Sequence, residues 1–248
     1  MIPKIIHYCW FGGNPLPKSA KKCIASWRKF LPDYEIKEWN ESNFDVNSIP
    51  YTAEAYKAKK YAFVSDYARF YILFKYGGLY FDTDVEVIRN MDDIVAKGPF
   101  MGCENEAKVG ATPAQLGVAP GLALGVNPSL ALYGEILDIY KTKHYILSDG
   151  SYSKENVVTI MTDLLCQQGL VNTSEIQQVC GIWIYPKEYF CPLSNKSRNM
   201  NITSNTYSIH WYDGTWLPPK QKLAMYIKMH FGSNFFNFLC RIQKIIKG

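Results

Sequence analysis

Three features of this 248-residue sequence point to an α/β fold. The chain opens with an apolar segment, a helix-patterned stretch and an alternating segment, a β-α-β start. A long helix-patterned stretch then runs straight into Gly77–Gly78 and a second strand-like segment. Short strand-like runs and helical stretches continue to alternate after that point.

Taken in order, residues 2–11 read as a buried strand entering an aromatic turn, and residues 12–15 as a loop. Residues 17–30 place Ala20, Cys23, Ile24 and Trp27 on one helical face, and Leu31–Pro32–Asp33 ends that helix. Residues 34–39 alternate as a second strand. Residues 53–76 are expected to be helical, with a break near Lys59–Lys60 and a stripe of Ala62, Tyr67, Phe70, Leu73 and Phe74. Gly77–Gly78 stops that helix, and a strand bearing two aspartates follows. Residues 99–103 form another strand candidate, and 104–121, rich in Gly, Ala and Pro, a mobile loop. Helices are expected over 129–141 and 155–169, strands at 183–185 and 208–211, and a mostly helical end over 216–248. With no linker in evidence, one domain over 1–231 is expected, carrying a basic amphipathic helix over 232–248. That helix either docks on the core or lies on a membrane surface.

A hydrophobic content of 48% supports a sizeable core, and 15% aromatics leave rings for stacking surfaces. A net charge of +5 suits an anionic ligand or an anionic membrane surface and is too weak to imply nucleic acid. Seven cysteines, none in a C-x-x-C pair, argue against a disulfide framework or zinc site and for free thiols in a reducing compartment. No charged segment leads into an apolar run at the start, and no apolar run reaches the ~20 residues of a membrane span, so a cytoplasmic chain is expected. The sequons at Asn172, Asn195 and Asn201 then read as chance matches.

The chemistry concentrates in Tyr76–Gly77–Gly78–Leu79–Tyr80–Phe81–Asp82–Thr83–Asp84–Val85–Glu86–Val87. On a strand, Asp82 and Asp84 point the same way. Two carboxylates ~4 Å apart repel by ~4 kcal/mol at an effective dielectric near 20. A divalent cation held by oxygens resolves that conflict and also binds phosphate, so the run reads as a metal–diphosphate site. Asp66 and Arg69 share a helix face three residues apart. They are either a surface ion pair or, within the apolar run Phe63–Phe70, a partly buried pair lining the same pocket. In the pocket, Asp66 would accept from sugar hydroxyls, and Arg69 would bind phosphate or hold Asp66. No further Asp or Glu stands out in 104–200.

The combined run Ser65, Asp66, Arg69, Leu73, Gly77, Gly78, Tyr80, Asp82 and Asp84 resembles the DXD-motif, sugar-binding glycosyltransferases. That group includes initiating α-1,6-mannosyltransferases, bacterial capsular polysaccharide transferases and, more distantly, the clostridial glucosylating toxins. The opening IPKIIHYCWFGG and the late His210–Trp211 with Trp216 resemble the same family, whereas 104–200 match it weakly. The resemblance implies a GT-A fold: a nucleotide-sugar-binding, Rossmann-like mixed sheet with flanking helices and a bound Mn²⁺ or Mg²⁺. It implies a retaining hexosyltransferase that takes a UDP- or GDP-hexose donor and a saccharide acceptor, lipid-linked ones included. Synthesis of bacterial capsule or surface polysaccharide fits, at the cytoplasm or the inner face of the plasma membrane.

By that resemblance Asp84 is the main metal ligand, shared with Asp82, and Asp66, Arg69 and Asp82 contact donor sugar, ribose or phosphate. Trp10 either stacks on the base or is a core aromatic at a strand end. Tyr80 is core or pocket wall, and Glu86 supports the site or is solvated. His210 is the remaining metal ligand, a phosphate contact or a structural histidine. Trp216 reaches the leaving diphosphate when a loop turning at Asp213–Gly214 closes. A nucleotidyl- or phosphoryltransferase would need more carboxylates or a longer Gly-rich loop than Gly12–Gly13. A non-catalytic carbohydrate-binding module would not need the carboxylate pair.

Overall fold

A computed structural model describes residues 1–195 and 197–214. Strands β1 (Ile5–Cys9) and β2 (Glu35–Trp39) flank helix α1 (Lys18–Phe30). Helices α2 (Pro50–Lys57) and α3 (Tyr61–Tyr76) lead to β3 (Gly78–Tyr80) and β4 (Val85–Val87). Then come α4 (Asp92–Val95), β5 (Phe100–Gly102), a 3₁₀ turn at Pro113–Leu116, β6 (Leu124–Val126) and α5 (Ala131–Lys141). The described chain ends with α6 (Val157–Gln167), β7 (Gln177–Val179), β8 (Ile182–Tyr185), α7 (Lys187–Phe190) and β9 (Ser208–His210).

Seven strands form one mixed sheet in the order β2-β1-β3-β6-β5-β8-β7, and β4 pairs with β9 apart from it. β1 is parallel to β2 and β3, whereas β6 runs antiparallel to both β3 and β5. The carboxyl ends of β1, β3 and β5 and the start of β6 therefore share one rim, where open α/β sheets bind ligands. Side-chain alternation splits the core in two. Cys9, Tyr80 and Met101 face α2, α3, α5 and α6, while Ile6, Tyr8, Leu79 and Phe100 face α1, α4 and α7. The α/β expectation, a mixed sheet with flanking helices, is met.

The local readings hold with shifted ends. α1 buries Ala20, Cys23, Ile24 and Trp27, as its spacing implied. The Trp27 indole donates to Val85 O at 2.7 Å, and Ser26 Oγ accepts from Val87 N–H at 2.9 Å, so α1 clamps β4. The stretch over 53–76 is two helices that break at Ala58–Lys60, where Lys59 takes φ +58°. The expected mobile loop over 104–121 contains the 3₁₀ turn, and Leu116 to Gly121 are buried. Its small residues serve close packing beneath the rim. The readings over 216–248, including Trp216 and the terminal helix, lie outside the described residues.

Gly77 and Gly78 do more than stop α3. Gly77 N–H bonds Leu73 O at 2.8 Å, and Gly78 takes φ +102°, where an added Cβ would lie 2.6 Å from Ile5 O. Buried His7 braces this junction. Its Nδ1 accepts from the Trp39 indole at 3.0 Å, which leaves Nε2–H to donate to Gly77 O at 3.0 Å. Burial lowers the His7 pKa to about 4, outweighing the Gly77 bond. The unfolded chain thus binds the extra proton between ~pH 6.5 and ~pH 4, and stability falls as pH drops through that window. His7 should cost about 2 kcal/mol of stability between about pH 7 and about pH 5. Urea midpoints at the two pH values, compared with those of His7→Gln, check this; an equal pH dependence in both would refute it.

Candidate active site at the sheet rim

The two aspartates do not lie within a strand. β3 ends at Tyr80, and Asp82–Thr83–Asp84 form a turn closed by Val85 N–H to Asp82 O at 3.0 Å. Turn geometry, not strand alternation, makes their carboxylates converge, which corrects the expectation of a continuous strand. The run leaves the sheet here because β4 joins β9 instead.

That pairing brings in the third member of the site. Val85 lies opposite His210 in the antiparallel ladder. His210 Nε2 is 3.1 Å from Asp84 Oδ1, and one atom each from Asp82, Asp84 and His210 lie within 4.8 Å of one another. Asp84 Oδ2 accepts Asp213 N–H at 3.0 Å, and Asp84 O accepts Trp211 N–H at 2.9 Å. Burial alone would lower the His210 pKa, yet the Asp84 charge and hydrogen bond raise it well above its usual value. Burial pushes Asp84 the other way, but His210 and the Asp213 N–H hold its carboxyl below its ordinary value.

The Asp66–Arg69 pair is buried, at 8% and 4% exposure. Arg69 Nη2 lies 3.0 Å from Asp66 Oδ1 and 3.3 Å from Asp82 Oδ1, while Nε donates to Ser65 O at 3.2 Å. One guanidinium thus ties α3 to the aspartate turn. Tyr80, 1% exposed, packs its ring under that guanidinium with its centroid 4.9 Å from Cζ. It is core rather than pocket wall, supporting Arg69 from below. Burial pushes Asp66 up to about 7 against the pull of Arg69, and a backbone bond from Val157 at the start of α6 also favours its charged form.

Gly121 completes the floor. Asp82 N–H donates to Gly121 O at 3.1 Å, and a Cβ on Gly121 would stand 2.0 Å from Asp82 Oδ2. Gly121→Ala must therefore push the Asp82 carboxylate out of place. If Asp82 serves as a ligand for a divalent ion, a 10–100-fold loss of Mn²⁺ affinity is expected, read by calorimetric titration. Unchanged affinity would show that Asp82 is not held for an ion.

Trp10 follows β1 on the same rim, half-buried, its indole donating to Asn14 O at 2.6 Å. Glu86 stands apart from the cluster and accepts from Lys22 at 3.1 Å and the Trp211 indole at 2.8 Å, a supporting role. The six described cysteines are free, and burial pushes Cys9, Cys23 and Cys103 up to about 12, so no reactive thiolate arises at these three. Sequence reasoning missed Glu104, which directly follows the β5 strand and Cys103. Burial raises its pKa, and the charge of His210 pulls it back, so it lies within electrostatic reach of the cluster. Its position just beyond an apolar strand end was the available signal.

Residues 17–101 match the family described as the glycosyltransferase sugar-binding region containing DXD motif. Inositol phosphoceramide mannosyltransferase 3 of Schizosaccharomyces pombe is 34% identical over 98 residues, covering 38% of this chain and 27% of that protein. A glycosyltransferase of Acanthamoeba polyphaga mimivirus is 34% identical over 106 residues, covering 40% of this chain and 42% of the relative. The matched stretch thus spans well under half of either relative. Among solved structures, the PaToxG glycosyltransferase is 19% identical, with a TM-score of 0.46, covering 68% of this chain and 70% of its own. The matched region contains Asp66, Arg69, Asp82 and Asp84, so the similarity to the DXD-containing sugar-binding region takes in the acidic cluster and its arginine.

Proposed function

We propose that this chain is a metal-dependent, retaining glycosyltransferase that moves a hexose from a nucleoside-diphosphate sugar to a saccharide acceptor. The carrying observation is the convergence of Asp82, Asp84 and His210 beside the buried Asp66–Arg69 pair. The residues fit a divalent ion. Asp82, Asp84 and His210 would hold it, the 3.1 Å hydrogen bond between His210 Nε2 and Asp84 Oδ1 giving way as the ion displaces its proton. Asp66, Asp82 and Asp84 outnumber the single guanidinium of Arg69, leaving net negative charge for a dication once His210 is neutral. Oxygen-rich ligation favours Mn²⁺ or Mg²⁺.

When bound, such an ion would neutralise charge on a departing diphosphate. The chain's own residues do the positioning. Asp66 holds Arg69, which meets Asp82 directly, the Asp213 and Trp211 N–H groups fix Asp84, and Trp10, which follows β1 on the same rim, would stack on a base. GDP-mannose ranks first among donors because the yeast relative is named a mannosyltransferase; UDP-hexoses follow. The reading extends to a cytoplasmic enzyme of surface-polysaccharide synthesis, in peripheral contact with the inner membrane face. No helix among the described residues is long and apolar enough to cross a membrane.

The test is nucleoside-diphosphate release from a panel of UDP- and GDP-hexoses with Mn²⁺, with and without chelator. Release that depends on the ion is expected. No release from any donor, with Mn²⁺ or Mg²⁺, overturns the proposal. Flotation with liposomes, with and without residues 232–248, tests the membrane contact; equal flotation would sink it.

A further inference from the structure

We infer that the groove between the 104–117 segment and the start of α6 is the acceptor subsite, and that it takes a neutral saccharide with Glu104 at its donor-facing end. The inference rests on the glycosyltransferase reading. The groove encloses about 390 Å³ and is lined by Glu104, Glu106, Lys108, Gln115, Thr159 and Asp163, among others.

Its place in the fold argues for the role. Along the rim, β1 with Trp10 lies on one side of β3, and β6 and then β5 lie on the other. Glu104 follows β5, two strand spacings or about 10 Å from the strand that leads to Asp82. Donor-side and acceptor-side groups thus flank the aspartate turn. Two links join groove and turn. Gly117 in the groove wall is four residues from Gly121 beneath Asp82, at most ~14 Å of chain. On the other wall, Val157 at the start of α6 bonds Asp66, while its neighbours Asn156 and Val158 line the groove.

The groove's chemistry names the occupant class. Its walls carry side-chain amides, hydroxyls and carboxylates, the groups that bind sugar hydroxyls. Glu104, Glu106 and Asp163 face a single Lys108, a balance that repels a phosphorylated acceptor and accepts a neutral one. Glu104, held by its own N–H to Gly117 O at 2.9 Å, is set to accept from the acceptor hydroxyl nearest the donor.

The experiment uses the full chain with a donor that it hydrolyses. Methyl glycosides of mannose, glucose, galactose and N-acetylglucosamine, and myo-inositol 1-phosphate, are offered as acceptors. The ratio of transfer to donor hydrolysis is measured for the parent, Gln115→Trp and Glu104→Ala. At least one neutral glycoside should be used in preference to the inositol phosphate. Gln115→Trp, which fills the groove from an exposed position, should lower the ratio about tenfold, and Glu104→Ala should raise the glycoside KM by about tenfold. Preference for the phosphate, a parental ratio in Gln115→Trp, or hydrolysis without transfer to any glycoside each overturns the inference. Absence of hydrolysis from every donor instead removes the underlying glycosyltransferase reading.

Discussion

Asp84→Asn should lower kcat for glycosyl transfer on the order of a thousandfold while leaving the fold intact. Asp84 is the member of the cluster that meets His210 directly, at 3.1 Å, while its other oxygen accepts the Asp213 N–H. Asparagine keeps an acceptor for that N–H but removes the negative charge that would hold a dication. Charge stabilisation by a bound metal contributes several kcal/mol to a transition state, and each 1.4 kcal/mol is about tenfold in rate. Steady-state kinetics with saturating Mn²⁺, alongside thermal melting, decide it. Glu86→Gln is the matched comparison, because the partners of Glu86 among the described residues are Lys22 and the Trp211 indole; it should cost less than about tenfold. Equal losses in the two variants would dissolve the distinction between ligand and support.

Arg69→Ala should have the largest effect on stability. Arg69 is 4% exposed and is shared by Asp66 and Asp82. Removing one partner of a buried ion pair leaves an uncompensated charge and costs about 3–5 kcal/mol, a large part of a total of ~5–15 kcal/mol. Tyr80 also loses the cation over its ring. The cost should shrink as pH falls. Burial already pushes Asp66 up to about 7, and without the guanidinium it rises further, so the folded state binds more protons than the unfolded one. Stability therefore declines as pH rises through that range, and the deficit against the parent is greatest at high pH. Urea midpoints at about pH 5 and about pH 8 measure both statements. A pH-independent deficit would show that packing, not charge, is what Arg69 supplies. Arg69→Lys should recover only part of the loss: an ammonium can stand in for Nη2 between the two carboxylates, but lysine has no Nε–H for Ser65 O and no planar group over the Tyr80 ring.

Much of the scaffold was legible in the residues because it is local. Apolar spacing in α1 identified Ala20, Cys23, Ile24 and Trp27, and all four are buried. The three-residue interval between Asp66 and Arg69 identified their shared face, and apolar neighbours indicated burial. Element ends were less legible. Asp82 and Asp84 were expected on a strand, but the chain turns between β3 and β4 because the sheet continues through β6 instead. Tyr80 was open between core and pocket, and only the position of Arg69 above it decides for core. Glu104 went unseen because a single carboxylate after a short strand has no periodic partner to mark it.

The sequence by itself determined the α/β class, the helix faces, the glycine junction after α3 and the identity of the carboxylates. Each of these follows from backbone periodicity or turn chemistry over a few residues. The tertiary structure decided which groups meet. His210 reaches Asp84 only because β9 pairs antiparallel with β4, and Asp213 N–H bonds a carboxylate 129 positions away. Arg69 joins two carboxylates only because α3 packs over the aspartate turn, and Glu104 takes its place because β6 and β5 follow β3 along the rim. Such contacts depend on strand order and on the closure of long loops, neither of which is written in the spacing of neighbouring residues.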